Sequence, residues 1–142
     1  MNNVNENQET KVKIIKHFIK DLSFENPQNI FDNNAYNNDN CNIDLNVNVI
    51  FNPYEKDFFN LILKITLDSS SKENNKKLFN LELDYFGFFK SLQNFKDDQK
   101  TLTNHGLKLI YPFAKQIIQD ITEKGGSVSV SLENMDFNLI KN

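Results

Sequence analysis

Most of the chain between residues 11 and 86 alternates apolar and polar residues, which is typical of β-strands with one buried face. The clearest alternation covers residues 42–50, where one face is apolar and consists of Ile43, Leu45, Val47 and Val49. Similar patterns predict further strands at 11–25, 57–67 and 78–86. Because the later strands are joined by short turn signals, we predict a four-stranded antiparallel meander.

The hydrophobic period changes in the second half of the chain. Spacings of three and four residues indicate a helix, and its apolar stripe consists of Ile110, Phe113, Ala114, Ile117, Ile118 and Ile121. Gly125-Gly126 is placed to end this helix. Tyr111 and Leu107 are expected on its opposite face. The pattern therefore predicts an α+β fold, in which the sheet packs against one long helix whose surplus apolar surface meets another subunit.

Length and composition favour one cytosolic domain. The chain has 142 residues and a net charge of −3, which argues against nucleic acid as a partner. Residues 1–10 are polar and without periodicity, so we expect them to be disordered and residues 11–142 to form the domain. No apolar run is long enough to span a membrane, and the N-terminal residues lack the regions of a signal peptide.

Catalytic motifs are missing from the sequence. It has four glycines and no phosphate-binding loop. Cys41, His17 and His105 show no spacing typical of a nucleophile pair or a metal site. We therefore expect no enzyme activity, no cofactor and no metal. A small-ligand site between sheet and helix remains an alternative.

Acidic residues follow the polar face of the predicted sheet. Asp21 and Glu25 lie four positions apart after the first apolar run, and equal parity places them on one face of a strand. Asp44, Glu82 and Asp84 are expected on the same side. Such a face is either simply solvated or a binding surface for a basic partner.

Several segments resemble the SecB family of bacterial export chaperones. Residues 20–27 read Lys-Asp-Leu-Ser-Phe-Glu-Asn-Pro, which is similar to the N-terminal signature of that family. Residues 81–89 are similar to its fourth strand, and Leu-Ile-Tyr-Pro-Phe-Ala-Lys at 109–115 is similar to its helix start. Together with Gly125-Gly126 and residues 135–137, these segments occur in the family order.

The resemblance implies a function and partners. A SecB protein is an ATP-independent holdase, a chaperone that keeps precursor proteins unfolded and delivers them to the SecA translocase motor. It would assemble as a homotetramer, a dimer of dimers, through first-strand edges and long helices. The corresponding residues here are Ile14, Phe18, Ile110, Phe113, Ile117 and Ile121. A SecB-like chaperone of a toxin–antitoxin system is the alternative within the family.

The resemblance also assigns binding residues. The acidic sheet face would dock the basic, zinc-bearing tail of SecA through Asp21, Glu25 and Glu82. Client proteins would bind between the loop after the first strand and a short terminal helix. That location points to Phe31, Tyr36, Phe137 and Ile140.

Overall fold

The computed structural model describes residues 12–28, 41–92, 98–127 and 129–133. They form four strands and one helix: β1 (Val12–Glu25), β2 (Cys41–Pro53), β3 (Phe58–Ser71), β4 (Lys77–Ser91) and α1 (Gln99–Lys124). The strands make one antiparallel sheet, and α1 packs on one face of it. The predicted α+β fold is therefore confirmed. The predicted N-terminal disorder and the short terminal helix lie outside the described residues.

The strand order differs from the predicted meander. It is β1-β4-β3-β2, so that β2, β3 and β4 follow one another while β1 pairs with β4. This is the Greek-key order, in which a long connection carries the chain from one edge of the sheet to the other. Residues 26–40 provide that connection. As a result, β1 and β2 are the two edge strands.

Two β-bulges explain why the alternation in β1 is imperfect. Register shifts lie between Ile14 and Lys16 and between Ile19 and Asp21, leaving Ile15 and Lys20 without a partner on β4. Each inserted residue moves the following side chains to the other face of the strand. Between the bulges and after them, the faces of β1 match those of β4.

The core lies between α1 and the inner faces of β1, β3 and β4. The buried helix stripe consists of Thr103, Gly106, Leu107, Ile110, Tyr111, Ala114, Ile118 and Thr122. The buried stripe is therefore rotated around the helix axis relative to the predicted one. Leu107 and Tyr111 face the core instead of the opposite side, and Phe113 is 46% exposed. Tyr111 and Phe113 are both aromatic, so the periodic pattern alone did not distinguish their directions.

Both ends of α1 are capped by local hydrogen bonds. The Asp98 side chain accepts a hydrogen bond from the Thr101 backbone N–H at 2.9 Å, and this bond lowers the pKa of the Asp98 carboxyl below its ordinary value of 3.8. At the other end, Gly126 has a φ of 78°, and the N–H groups of Gly126 and Ser127 donate to Glu123 and Thr122. This is a Schellman motif, so the predicted end at Gly125-Gly126 is confirmed.

Gly106 allows α1 to approach the sheet closely. A Cβ atom at this position would lie 2.5 Å from Leu61 Cδ1 and 3.2 Å from Phe89 Cζ, and both neighbouring side chains are fully buried. Close-packed interiors resist such insertions because the surrounding side chains cannot relax without straining their own packing. A larger residue would therefore force the helix away from β3 and β4.

We expect Gly106→Val to lower the free energy of unfolding by about 2 kcal/mol, because the added methyl groups overpack this contact. Chemical denaturation at one fixed protein concentration measures the change. Lys108→Val is the matched control, since it places the same residue at an exposed position of the same helix. Equal stability of the two variants would contradict the close helix–sheet packing.

Candidate functional site

The outward face of the sheet, opposite α1, carries a cluster of carboxylates at one end. Strand register places them in three neighbouring rungs of the four strands. We call this cluster the acidic patch; its members are Asp21, Glu25, Asp44, Asp68, Glu82 and Asp84. Asp21, Glu25, Asp44 and Glu82 are exposed, while Asp68 and Asp84 are half-buried. The structure thus brings together the three predicted motor-docking residues Asp21, Glu25 and Glu82.

Like charges face each other within the acidic patch. Asp21 is paired with Asp84 across β1 and β4, and Asp44 with Asp68 across β2 and β3. Carboxylates directly opposite each other repel, which destabilises the pairing of the strands. Lys64 of β3 lies beside Asp84 of β4 and forms an ion pair with it, with 3.1 Å between the Lys64 Nζ and Asp84 Oδ2 atoms. Six carboxylates and this lysine leave the patch strongly negative, so it is suited to attract a basic partner.

Asp68 was missed by the sequence reasoning, which ended the third strand at Leu67. In the structure β3 continues to Ser71, and Asp68 accepts a hydrogen bond from the Asn80 side chain on β4. The alternation of Thr66, Leu67, Asp68 and Ser69 was the available signal. It was hidden because a run of serines resembles a turn.

A second candidate surface lies on the inner face of β2. Ile43 and Leu45 were predicted on a buried face, but they are 46% and 42% exposed. The main helix contacts are with β1, β3 and β4, and the beginning of β2, before Val47, remains exposed on this face. We call these two residues the β2 inner strip.

The edge of β1 presents further exposed apolar side chains. Ile15, Phe18 and Ile19 are exposed there, and Phe113 of α1 is exposed nearby, with its ring 4.3 Å from that of His17. A long apolar edge strand is prone to pair with another chain. Ile14, Ile117 and Ile121 are only partly buried against the core, which leaves part of each side chain accessible. Ile110 is completely buried within the subunit, so its side chain is not available for a contact with another subunit.

His17 connects this edge to the core. Its Nδ1 atom lies 2.5 Å from the Tyr85 hydroxyl, so the two side chains share a hydrogen bond. Tyr85 is almost fully buried, and this burial raises the pKa of its phenol. This hydrogen bond links β1 to β4. It does not test the predicted absence of a nucleophile pair.

Several predicted residues remain outside the described part of the chain. They are the client-binding candidates Phe31, Tyr36, Phe137 and Ile140. Within the described ranges, no three His, Cys, Asp or Glu side chains are grouped so that they could hold a metal ion. In those same ranges, no helix is both long and apolar enough to cross a membrane.

Comparison with known proteins identifies the family. Residues 5–140 match the family described as preprotein translocase subunit SecB. The chain belongs to the SecB family. The predicted family and its role as a protein-export chaperone are therefore confirmed.

Individual SecB relatives align over most of their length. The protein-export protein SecB of Bartonella bacilliformis is 31% identical over 135 residues, which cover 94% of this chain and 82% of the relative. The SecB protein of Roseobacter denitrificans is 32% identical over 139 residues, with coverage of 92% and 78%.

One solved structure has the same fold at low sequence identity. It is the SecB-like chaperone of Mycobacterium tuberculosis in complex with a ChAD peptide from an antitoxin. The TM-score is 0.66 at 12% identity, with coverage of 89% of this chain and 92% of that chain. The four-stranded sheet and long helix are therefore the SecB fold.

Proposed function

We propose that this SecB-family protein is a cytoplasmic, ATP-independent holdase that binds unfolded precursors and delivers them to SecA. The observation that carries the proposal is the division of the sheet into two different surfaces. The inner face leaves an apolar strip uncovered on β2, whereas the outward face carries the acidic patch. A client and a basic docking partner would therefore bind at the same time without competing.

The β2 inner strip supports client binding. Exposed Ile43 and Leu45 provide apolar contact with little side-chain discrimination, which suits a chaperone with many clients. Because β2 is an edge strand, its outer backbone groups can pair with an extended client segment. In our proposal Phe31, Tyr36, Phe137 and Ile140 complete this client surface.

We expect the double variant Ile43→Asn, Leu45→Asn to bind a carboxymethylated, permanently unfolded polypeptide about tenfold more weakly, because two apolar contacts are lost. Suppression of aggregation, followed by light scattering, should weaken in parallel. The control is Asn42→Ser, Asn46→Ser, which alters the outward face of the same strand. Full holdase activity in the first variant would place client binding elsewhere.

The acidic patch supports docking of a basic partner. We assign Asp21, Glu25 and Glu82 to the basic tail of SecA, with Asp68 as an additional carboxylate from β3. An acidic surface facing a basic tail gives rapid association that weakens as salt screens the charges. Such a contact is strong enough to direct the chaperone to the motor and still allows release.

We expect Glu25→Lys to weaken binding of the isolated SecA tail about tenfold at low salt, because one attractive charge becomes repulsive. The difference in affinity between the wild-type protein and Glu25→Lys should become smaller as the salt concentration is raised. Glu123→Lys makes the same change of net charge at an exposed position near the end of α1. If both variants bind the tail equally, Glu25 does not belong to the docking site.

Assembly into a homotetramer completes the proposal. Exposed Phe18 and Phe113, with the accessible parts of Ile14, Ile117 and Ile121, support subunit contacts through the β1 edge and α1. Burial of Ile110 removes it from this set. Several subunits allow one long client to occupy several weak sites, which raises the overall affinity.

We expect a mass of four times 16.6 kDa by light scattering. Phe113→Asp should shift the protein to smaller species, because a carboxylate would be buried at the subunit contact. Tyr54→Asp, at a 62% exposed aromatic residue in the turn after β2, should retain the larger mass. A wild-type monomer would contradict the proposed assembly.

General export is favoured over a role in a toxin–antitoxin system. Relatives named as protein-export proteins are about 30% identical over most of the chain, whereas the SecB-like chaperone bound to an antitoxin peptide is 12% identical. The exposed sheet surfaces likewise favour a binding protein over a small-ligand domain or an enzyme.

A further inference from the structure

The outward face has a second half, which differs in character from the acidic patch. It lies toward the start of β1 and the end of β4. We call it the aromatic strip; its residues are Phe18, Ile50, Tyr54, Phe58, Phe86 and Phe88. Phe18 is 40% exposed and Tyr54 is 62% exposed, while Phe58, Phe86 and Phe88 are each partly accessible.

Strand register makes the aromatic strip continuous across the sheet. Phe18, Phe86 and Ile50 occupy one rung with Ile62, which spans all four strands. The rings of Phe18 and Phe86 stack at 4.7 Å, and those of Phe58 and Phe88 at 5.5 Å. Tyr54 meets Phe88 edge to face. These contacts hold the rings in fixed positions. The rings would therefore lose little side-chain entropy when a ligand binds.

Positive charge lies within the rungs of the aromatic strip that are farther from the acidic patch, with Lys16 beside Phe88 and Lys90 beside Phe58. Lys13, Lys16 and Lys90 are exposed, and the register places them on this outward face. The Lys16 ammonium lies 5.5 Å from the Phe18 ring centroid, and the Lys90 ammonium lies 5.7 Å from that of Phe58. Apolar rings bordered by lysines complement a ligand with apolar and carboxylate groups.

The width of the aromatic strip limits the ligand. Successive rungs on one face are about 7 Å apart, so the rung containing Asp21 and Asp84 lies directly beside the one containing Phe18 and Phe86. An anionic membrane or a nucleic-acid duplex would cover both halves and meet the carboxylates. A single extended peptide is narrow enough to follow the rings and lysines alone.

We propose that the aromatic strip binds an extended peptide segment in which apolar or aromatic residues stand beside acidic ones. Since the protein is proposed to hold unfolded precursors, this inference rests on that function and adds a second client surface. The surface selects acidic, aromatic segments, whereas the β2 inner strip makes no charge selection. Phe18 lies on the edge strand and is also a proposed subunit contact, so pairing of β1 edges would cover part of its ring. Phe58, Phe86 and Phe88 lie on β3 and β4, farther from that edge, and would stay accessible.

The test uses a fluorescent ten-residue peptide that alternates glutamate with phenylalanine and leucine, and measures its affinity by anisotropy. We expect Phe86→Ser to weaken binding about tenfold and Lys16→Gln about threefold. Lys72→Gln, in the turn between β3 and β4, removes the same charge elsewhere and should have no effect. Circular dichroism and light scattering establish that each variant keeps its fold and mass.

The outcomes separate this site from the proposed holdase function. Unchanged affinity in both Phe86→Ser and Lys16→Gln would overturn the site, as would loss of peptide binding in the β2 inner strip variant alone. Binding of the wild-type protein to phosphatidylglycerol vesicles without binding of the peptide would also overturn it. Failure of the holdase proposal has a different signature, which is absence of aggregation suppression by the wild-type protein.

Discussion

One-sided packing of α1 on the sheet determines what the other surfaces of the subunit can do. The helix buries Leu107, Ile110 and Ile118 against β1, β3 and β4. Most of the hydrophobic core lies at this contact. A single helix is too narrow to cover four strands. Among the described residues, it therefore leaves Ile43 and Leu45 of β2 and much of the outward face of the sheet for contacts with other molecules.

The outward face separates two kinds of recognition within one flat surface. Carboxylates from all four strands form the acidic patch, and aromatic rings with flanking lysines form the aromatic strip beside it. The facing pairs of carboxylates reduce the stability of the sheet, which Lys64 only partly offsets. A sheet selected for stability alone would not place like charges opposite one another, so the arrangement favours a binding role.

The bulges in β1 connect these surfaces to the subunit edge. Without the insertion between Ile19 and Asp21, Asp21 and Glu25 would turn toward the core, and Leu22 and Phe24 would turn to solvent. The other insertion directs Phe18 outward and His17 toward Tyr85 and α1. A strand of 14 residues thus contributes to the core, the acidic patch, the aromatic strip and an exposed edge.

The sequence by itself determined the α+β class, the strand and helix segments and the family, because alternation, helical periodicity and ordered motifs are local features. It also placed Asp21 and Glu25 on one face, since no bulge interrupts β1 between them. Only the tertiary structure decided that β1 joins β4, that Ile43 and Leu45 are uncovered, and that Ile110 is buried. These properties depend on strand order and on where one helix lies, and neither is encoded in the period of a single segment.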